Sequence, residues 1–209
     1  MEFRASHVEA FRKYLKEDIN KDMLIDSLQG TSSPSVKMQI GTHFHELIQT
    51  KGATSIYFDD AQLQSAQHKY AYGVYEVKAK KELITKNGVV SISGIADNII
   101  GNIIYEFKTC YGTFSIDKYL DSMQWRLYTW LFDVPAVKYA VYEFPSIATS
   151  ISTMSEVNKP LKYKHEHTFT CYANEFDIKD VYALISDLTD FCKHHNLKPI
   201  TSKQDVVLY

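Results

Sequence analysis

The segment Ser93–Thr109, with the sequence SGIADNIIGNIIYEFKT, decides the fold. Two apolar runs flank its central Gly101-Asn102 pair, which favours a tight turn between antiparallel strands. Upstream, a run that alternates through Val77 and Ala79 reaches Lys86-Asn87-Gly88, a second turn of this kind. We therefore predict a three-strand meander. Its strands are Val74–Ile84, Val89–Ile100 and Ile103–Thr109.

Helical patterns surround these strands. Ser6 precedes apolar residues at helical spacing, and Ser33 with Pro34 provides an N-cap followed by proline at the first helical position. The other predicted elements are a helix over 115–132, a strand over 137–144, a loop over 145–160, a strand over 165–172 and a helix that starts near Asn174. This order predicts an α/β fold in which helices cover a central sheet.

Charged side chains in the central hairpin carry the functional prediction. Strand alternation places Glu106 and Lys108 on one face of the last strand. If pairing places Asp97 beside Glu106, two carboxylates and one ammonium converge, and the carboxylates repel one another unless a divalent cation lies between them. Oxygen ligands of this kind suit Mg²⁺ or Mn²⁺. The hairpin is thus a candidate site for metal-assisted hydrolysis.

An alternative interpretation involves no chemistry at all. In it, Asp97 is a turn residue, and Glu106 with Lys108 forms a solvated strand face of alternating charge. For an isolated Glu-x-Lys pattern this alternative is the better one, because charged alternation on an exposed strand is ordinary. Here both flanking strands are strongly apolar, which indicates a central hairpin and disfavours two surface charges.

Two helical stretches add polar residues. Ile40–Leu47 reads IGTHFHEL, in which His43 and His45 are two residues apart and point to different faces, so they do not form a chelating pair. Downstream, the stretch QWRLY places Gln124 and Tyr128 on one helical face, four residues apart. Each pattern taken alone is compatible with ordinary helix packing.

Taken together and in this order, the three stretches resemble the PD-(D/E)XK nuclease superfamily, specifically its RecB-like and phage-type exonuclease branch. That branch has an Asp on one strand and Glu-x-Lys on the next, as in Asp97 and 106–108, although Ala96 stands where the superfamily has proline. Its Gly-Thr-x-x-His-Glu helix is similar to 41–46, and its Gln-x-x-x-Tyr helix to 124–128. The resemblance implies a restriction-endonuclease-like α/β/α core over about 34–144, with a central mixed sheet, in a single domain over 1–209.

The resemblance also implies a role for each matching residue. The implied ligands of one or two Mg²⁺ or Mn²⁺ ions are His45, Asp97, Glu106 and the backbone carbonyl of Phe107. The implied catalytic residues are Asp97, Glu106, Lys108 and His45, with Lys108 in contact with the attacking water. The implied substrate contacts are Gln124, Tyr128 and Thr109.

The implied activity is hydrolysis of DNA phosphodiester bonds in recombination, repair or phage DNA processing, with an exonuclease favoured over an endonuclease. The implied partners are DNA and either further copies of the chain, as in a ring-like trimer, or a single-strand-annealing or other recombination protein. The alternative is a catalytically silent nucleic-acid-binding or recombination-complex module of the same fold. Intact Asp97, Glu106 and Lys108 argue against that alternative.

Composition excludes other classes of protein. A formal net charge of −2 gives no global attraction to nucleic acid, so basic residues would have to line one groove. Three separated cysteines argue against a disulfide framework, a structural zinc site and an iron–sulfur cluster. No nucleotide-binding loop of the G-x-x-x-x-G-K-[ST] type occurs, so no nucleotide cofactor is expected. Without a secretory signal or a run of about 20 apolar residues, we expect a cytoplasmic protein (in the host cytoplasm if phage-encoded) with no membrane partner.

Overall fold

The computed structural model describes residues 1–148, 151 and 153–200, and six strands within them form one mixed sheet. The strands are β1 Glu2–Arg4, β2 Val74–Thr85, β3 Gly88–Ile100, β4 Ile103–Tyr111, β5 Ala136–Phe144 and β6 His165–Tyr172. The helices are α1 Ala5–Leu15, α2 Lys21–Gln29, α3 Val36–Gln49, α4 Asp60–Tyr70, α5 Asp117–Leu120, α6 Met123–Phe132 and α7 Ile178–His194. None of these helices combines the length and apolarity that crossing a membrane requires.

The sheet divides next to the central hairpin. β2 pairs antiparallel with β3 from Val74 to Thr85 except at Glu76, which leaves Asp97 without a β2 partner. The pairing of β4 with β3 covers only 98–100 and 103–105 and ends at Asn98 and Tyr105. Beyond that point, β1 takes the vacated edge of β3 and pairs parallel with Ser91–Ser93. β4 continues parallel to β5, and β5 pairs antiparallel with β6. We call the opening between β3 and β4 that starts at Asp97 and Glu106 the sheet cleft.

Helices cover both faces of this sheet, which confirms the predicted α/β/α architecture. On one face, α1, α6 and α7 share a core with β3 and β5, represented by Phe11, Leu127 and Ile185. On the other face, α3 and α4 pack on β4 and β5 around Phe44 and Phe107. The sheet therefore separates two cores. In each core, apolar residues at helical spacing pack against apolar residues that alternate along the strands.

The predicted start of α3 is wrong by two residues. The N-cap is Ser35, whose Oγ accepts a hydrogen bond from the backbone N–H of Met38 at 3.3 Å. Ser33 and Pro34 lie before the helix. A serine on either side of one proline offers two plausible caps, and the sequence pattern selected the wrong one.

Several other boundaries differ from the sequence prediction, although the strands of the hairpins and the strands over 137–144 and 165–172 are confirmed. α1 is capped by Arg4 rather than Ser6, because β1 runs directly into it. The predicted helix over 115–132 is two helices, interrupted before Ser122, which caps α6. The C-terminal helix begins at Ile178 rather than near Asn174. The elements that were not predicted are β1, α2 and α4.

The junction of β1 and α1 leads to a prediction about stability. His7 is fully buried, and the Arg4 guanidinium lies 3.0 Å from its Nε2. Burial, with a smaller contribution from Arg4, lowers the pKa of His7 to about 3. Between pH 6.5 and pH 3, His7 is therefore protonated in the unfolded chain but neutral in the folded protein. Protonation of His7 in the unfolded chain lowers the free energy of unfolding. The free energy of unfolding is unaffected by His7 above pH 6.5 and falls by about 1.4 kcal/mol per pH unit as the pH falls towards 3.

His7→Gln removes this proton uptake. We expect the free energy of unfolding, measured in urea at several pH values between 6 and 4, to fall less steeply in the variant, by about 1.4 kcal/mol per pH unit. His68→Gln, on the exposed side of α4, is the control. Equal slopes for wild type and His7→Gln would show that His7 takes up its proton in the folded state.

Candidate active site

The sheet cleft brings the two hairpin carboxylates together without a direct strand pair between them. The backbone N–H of Phe107 donates to Asp97 Oδ2 at 2.8 Å, and the backbone N–H of Asp97 donates to Glu106 Oε1 at 3.3 Å. Each carboxylate thus accepts a backbone N–H at the point where the β3–β4 ladder ends, and a buried unpaired amide would be costly. Asp97 and Glu106 therefore lie beside each other, joined by bonds between side chains and backbone and not by strand pairing.

Glu106 lies at the centre of this arrangement and is fully buried, so it does not form the solvated strand face of the alternative interpretation. Its Oε2 accepts from Lys108 Nζ at 2.9 Å and from Gln124 Nε2 at 2.7 Å. Burial and the nearby charge of Asp97 raise the pKa of Glu106 to about 8. The pKa of Asp97 is raised as well, chiefly by burial.

Lys108 neutralises part of this negative charge. Burial alone would lower the pKa of its ammonium, but the charges of Glu106 and Asp97 outweigh burial and raise it. Its side chain keeps 21% of its surface exposed, whereas that of Glu106 is fully buried. The prediction that Glu106 and Lys108 share a strand face agrees with their contact.

The opening in the sheet lets residues from both helical layers meet at the carboxylates. From α3, His45 places its Nδ1 3.9 Å from Asp97 Oδ2. Burial and the charge of Lys108 lower the pKa of His45 to about 3, so its imidazole is neutral and suited to metal ligation. His43 points elsewhere, with its Nε2 3.2 Å from the hydroxyl of Ser55.

α6 spans the sheet cleft from the opposite layer. Gln124 reaches Glu106 on β4, whereas the hydroxyl of Tyr128 donates to the carbonyl of Ile95 on β3 at 2.7 Å. Gly94 permits this approach, because a Cβ there would lie 2.9 Å from the Tyr128 ring. Gly94 and Ile95 were not among the predicted site residues, although a glycine inside an apolar strand is a signal for close packing. Tyr128 is only 6% exposed, and its hydroxyl is already hydrogen-bonded to the Ile95 carbonyl.

A glycine also lets α3 approach the site. A Cβ on Gly41 would lie 2.7 Å from Thr109 Oγ1, so α3 packs directly on the end of β4. Thr109 follows Lys108 in the chain but faces α3, while Lys108 faces α6. The glycine of the IGTHFHEL stretch therefore allows α3, which carries His45, to pack closely on β4.

Gly41→Ala is expected to destabilise the protein by about 1 kcal/mol, because the clash with Thr109 outweighs the gain in helix propensity. Thr109→Ala removes the hydroxyl that the new methyl group meets. A double-mutant cycle measured by urea unfolding should therefore give a favourable coupling of about 1 kcal/mol between the two substitutions. Strictly additive effects would show that this contact does not limit the approach of α3.

The donor set fits a divalent metal ion. It combines one neutral imidazole with two carboxylates whose pKa values burial raises despite the nearby Lys108, so a divalent cation would lower them again. Imidazole and carboxylate ligands suit Mn²⁺, and carboxylates suit Mg²⁺. In the part of the chain that the structure describes, no three Asp, Glu, His or Cys side chains already stand in a coordinating arrangement.

Comparison with known proteins identifies the fold. No protein-family model matches the sequence, and no curated protein matches it. The crystal structure of SSO0001 is similar with a TM-score of 0.50 and 15% identity, over 91% of this chain and 76% of that one. A phage-related exonuclease from Haemophilus somnus 129PT is similar with a TM-score of 0.50 and 14% identity, over 92% and 80% of the two chains. The chain thus has the restriction-endonuclease-like fold of phage-type exonucleases, as its motifs predicted.

Proposed function

We propose that this protein is a Mg²⁺- or Mn²⁺-dependent deoxyribonuclease. The observation that carries the proposal is the meeting of Asp97, Glu106 and Lys108 at the sheet cleft. There the Lys108 ammonium bonds to the buried Glu106 carboxylate, and each of the two carboxylates accepts a backbone N–H from the facing strand. Such a cluster is unfavourable for folding alone, because burial raises the pKa of both acids. The fold shared with a phage-related exonuclease supports the same reaction class.

The proposed metal ligands are His45, Asp97, Glu106 and the backbone carbonyl of Phe107. A divalent ion bound there supplies Lewis-acid chemistry, polarising the phosphodiester and making a water more acidic. His45 suits this role because its lowered pKa keeps a lone pair available at neutral pH.

Lys108 is the proposed contact to the attacking water. Its raised pKa keeps it charged, and its bond to Glu106 fixes its direction, so it orients the water and stabilises negative charge that develops on the phosphate. Gln124 donates to the same Glu106 oxygen as Lys108 and, with Thr109, is the proposed contact to the strand being cut. Because the Tyr128 hydroxyl is bonded to Ile95, we assign Tyr128 to positioning β3 beside the substrate rather than to binding it directly.

We further propose DNA as the substrate, exonuclease over endonuclease action, and a role in recombination, repair or phage DNA processing in the cytoplasm. A ring-like oligomer or a recombination partner belongs to the same proposal. These finer assignments follow from the motif resemblance.

Digestion of end-labelled linear DNA beside closed circular DNA tests the proposal, with Mg²⁺, Mn²⁺ or EDTA in parallel. We expect metal-dependent loss of the linear DNA and persistence of the circle. Loss of both would support a nuclease but overturn the exonuclease assignment. Binding of DNA without cleavage under any metal condition would overturn the enzyme proposal in favour of the silent binding module.

A further inference from the structure

The N-terminus of α6 rests on a carboxylate that comes from α1. Glu9 Oε2 accepts the backbone N–H of Met123 at 2.7 Å and the hydroxyl of Ser122 at 3.2 Å, although Glu9 is more than 100 residues away in the chain. The Glu9 side chain is only 16% exposed. The first N–H groups of a helix have no partner within the helix, and the helix dipole favours negative charge there. Glu9 therefore satisfies and anchors the first turn of α6.

This contact continues to the candidate active site. The Ser122 hydroxyl donates to Glu9 and accepts the backbone N–H of Gln124 at 3.1 Å. The side chain of Gln124 in turn donates to Glu106 Oε2 at 2.7 Å. An unbroken series of contacts thus leads from α1 through the first turn of α6 to the buried carboxylate on β4.

Glu9 is itself held in place. Arg12 donates to Glu9 through Nη2 at 2.7 Å and through Nε at 3.2 Å, and its Nη1 donates to Asp121 Oδ2 at 2.7 Å. Arg12 is 8% exposed. Because one guanidinium joins Glu9 to the residue just before the α6 cap, the carboxylate has a fixed direction towards the start of α6.

We propose that Glu9 is a positioning residue for the nuclease reaction: by fixing the first turn of α6, it places the Gln124 amide on Glu106. Its effect on cleavage rests on the proposed function, whereas its effect on α6 does not. This role differs from that of a residue that only packs two helices together. A residue that merely joins α1 to the core would affect stability alone, whereas Glu9 acts on turnover because small displacements of catalytic groups are costly.

Kinetics of Mg²⁺-dependent cleavage of end-labelled linear DNA test the proposal. Glu9→Ala should lower kcat at least tenfold with KM within twofold of wild type. Glu9→Gln keeps an oxygen that accepts from Met123 and should stay within threefold of wild type. Asp59→Ala is the matched control, since Asp59 is also a carboxylate cap, accepting the Gln62 N–H at the start of α4, and its kcat should stay within twofold of wild type. A Glu9→Ala kcat within twofold of the control, or a Glu9→Gln no better than Glu9→Ala, would overturn the proposal.

Amide hydrogen exchange provides a readout that does not require cleavage. Glu9→Ala should speed exchange of the Met123 amide at least tenfold, while Asp59→Ala should leave it unchanged. If wild type cuts no DNA, the proposed function fails, and unchanged Met123 exchange in Glu9→Ala would separately overturn the positioning role. If Glu9→Ala does not fold, Ser122→Ala replaces it, because it breaks the link to Gln124: a lowered kcat supports the proposal, and a wild-type kcat contradicts it.

Discussion

Lys108→Ala should abolish DNA cleavage and leave the protein folded. The Lys108 ammonium lies 2.9 Å from the fully buried Glu106 carboxylate and is the cationic side chain hydrogen-bonded to it. In the proposed mechanism, its removal deprives the attacking water of its orienting group and the phosphate of a stabilising charge. Removing one such preorganised donor typically lowers kcat by about 10²–10³-fold, so we expect a loss near the upper end of this range.

The folded state tolerates this loss because Glu106 can respond by protonation. Its pKa of about 8 already allows a proton at neutral pH, so losing the ammonium does not leave two unpaired charges. We expect the circular dichroism spectrum to match wild type and the end-labelled DNA to remain intact.

A matched control uses another lysine in an ion pair. Lys69 Nζ lies 2.6 Å from Glu166, on the side of the sheet away from Lys108, and Lys69→Ala should cleave DNA at the wild-type rate. If Lys108→Ala retains cleavage within threefold of that control, the assignment of the catalytic centre is wrong.

Glu106→Gln should also abolish cleavage, yet it should make the metal-free protein more stable at pH 8. The folded-state pKa of Glu106, about 8, lies above the unfolded value of 4.5. The folded protein therefore holds a proton that the unfolded chain has already lost, and this contribution to stability declines as the pH rises from 4.5 through 8. The decline amounts to about 1.4 kcal/mol per pH unit, or about 5 kcal/mol across the window.

Thermal unfolding in EDTA and in Mg²⁺ measures this effect. In EDTA, wild type should lose stability relative to Glu106→Gln between pH 5 and pH 8. At pH 8, Mg²⁺ should raise the Tm of wild type, because a ligand that binds only the folded state stabilises it, and should raise that of Glu106→Gln much less. Glu166→Gln, which weakens the contact with Lys69 instead, is the control. A Glu106→Gln variant less stable than wild type in EDTA at pH 8 would contradict the inferred repulsion.

The sequence predicted those parts of the site that depend on local rules. Strand alternation places Glu106 and Lys108 on one face, and helical spacing places Gln124 and Tyr128 together. The Gly101-Asn102 turn fixes where the hairpin closes. Each of these features depends on residues within a few positions of one another, so chain geometry alone determines it.

The sheet cleft and its supports were not predictable in this way. The β3–β4 ladder ends at Asn98, and Asp97 and Glu106 bond through their carboxylates instead. Farther along β3, β1 occupies the edge at Ser91–Ser93. The contact of Tyr128 with Ile95 and that of Glu9 with α6 join distant parts of the chain. The spacing of residues in the sequence does not predict such contacts, because it does not say which helix face packs against which strand or helix.

The pairing of β1 with β3 has a consequence for the order of folding. The hairpins of the meander close over short loops and can form within microseconds, whereas β1 must find Ser91–Ser93 across nearly ninety residues, and α1 can meet α6 only after a still longer closure. We therefore expect the hairpin that carries Asp97 and Glu106 to form before the N-terminal segment docks on it. During refolding, the far-ultraviolet circular dichroism signal should return before enzymatic activity does.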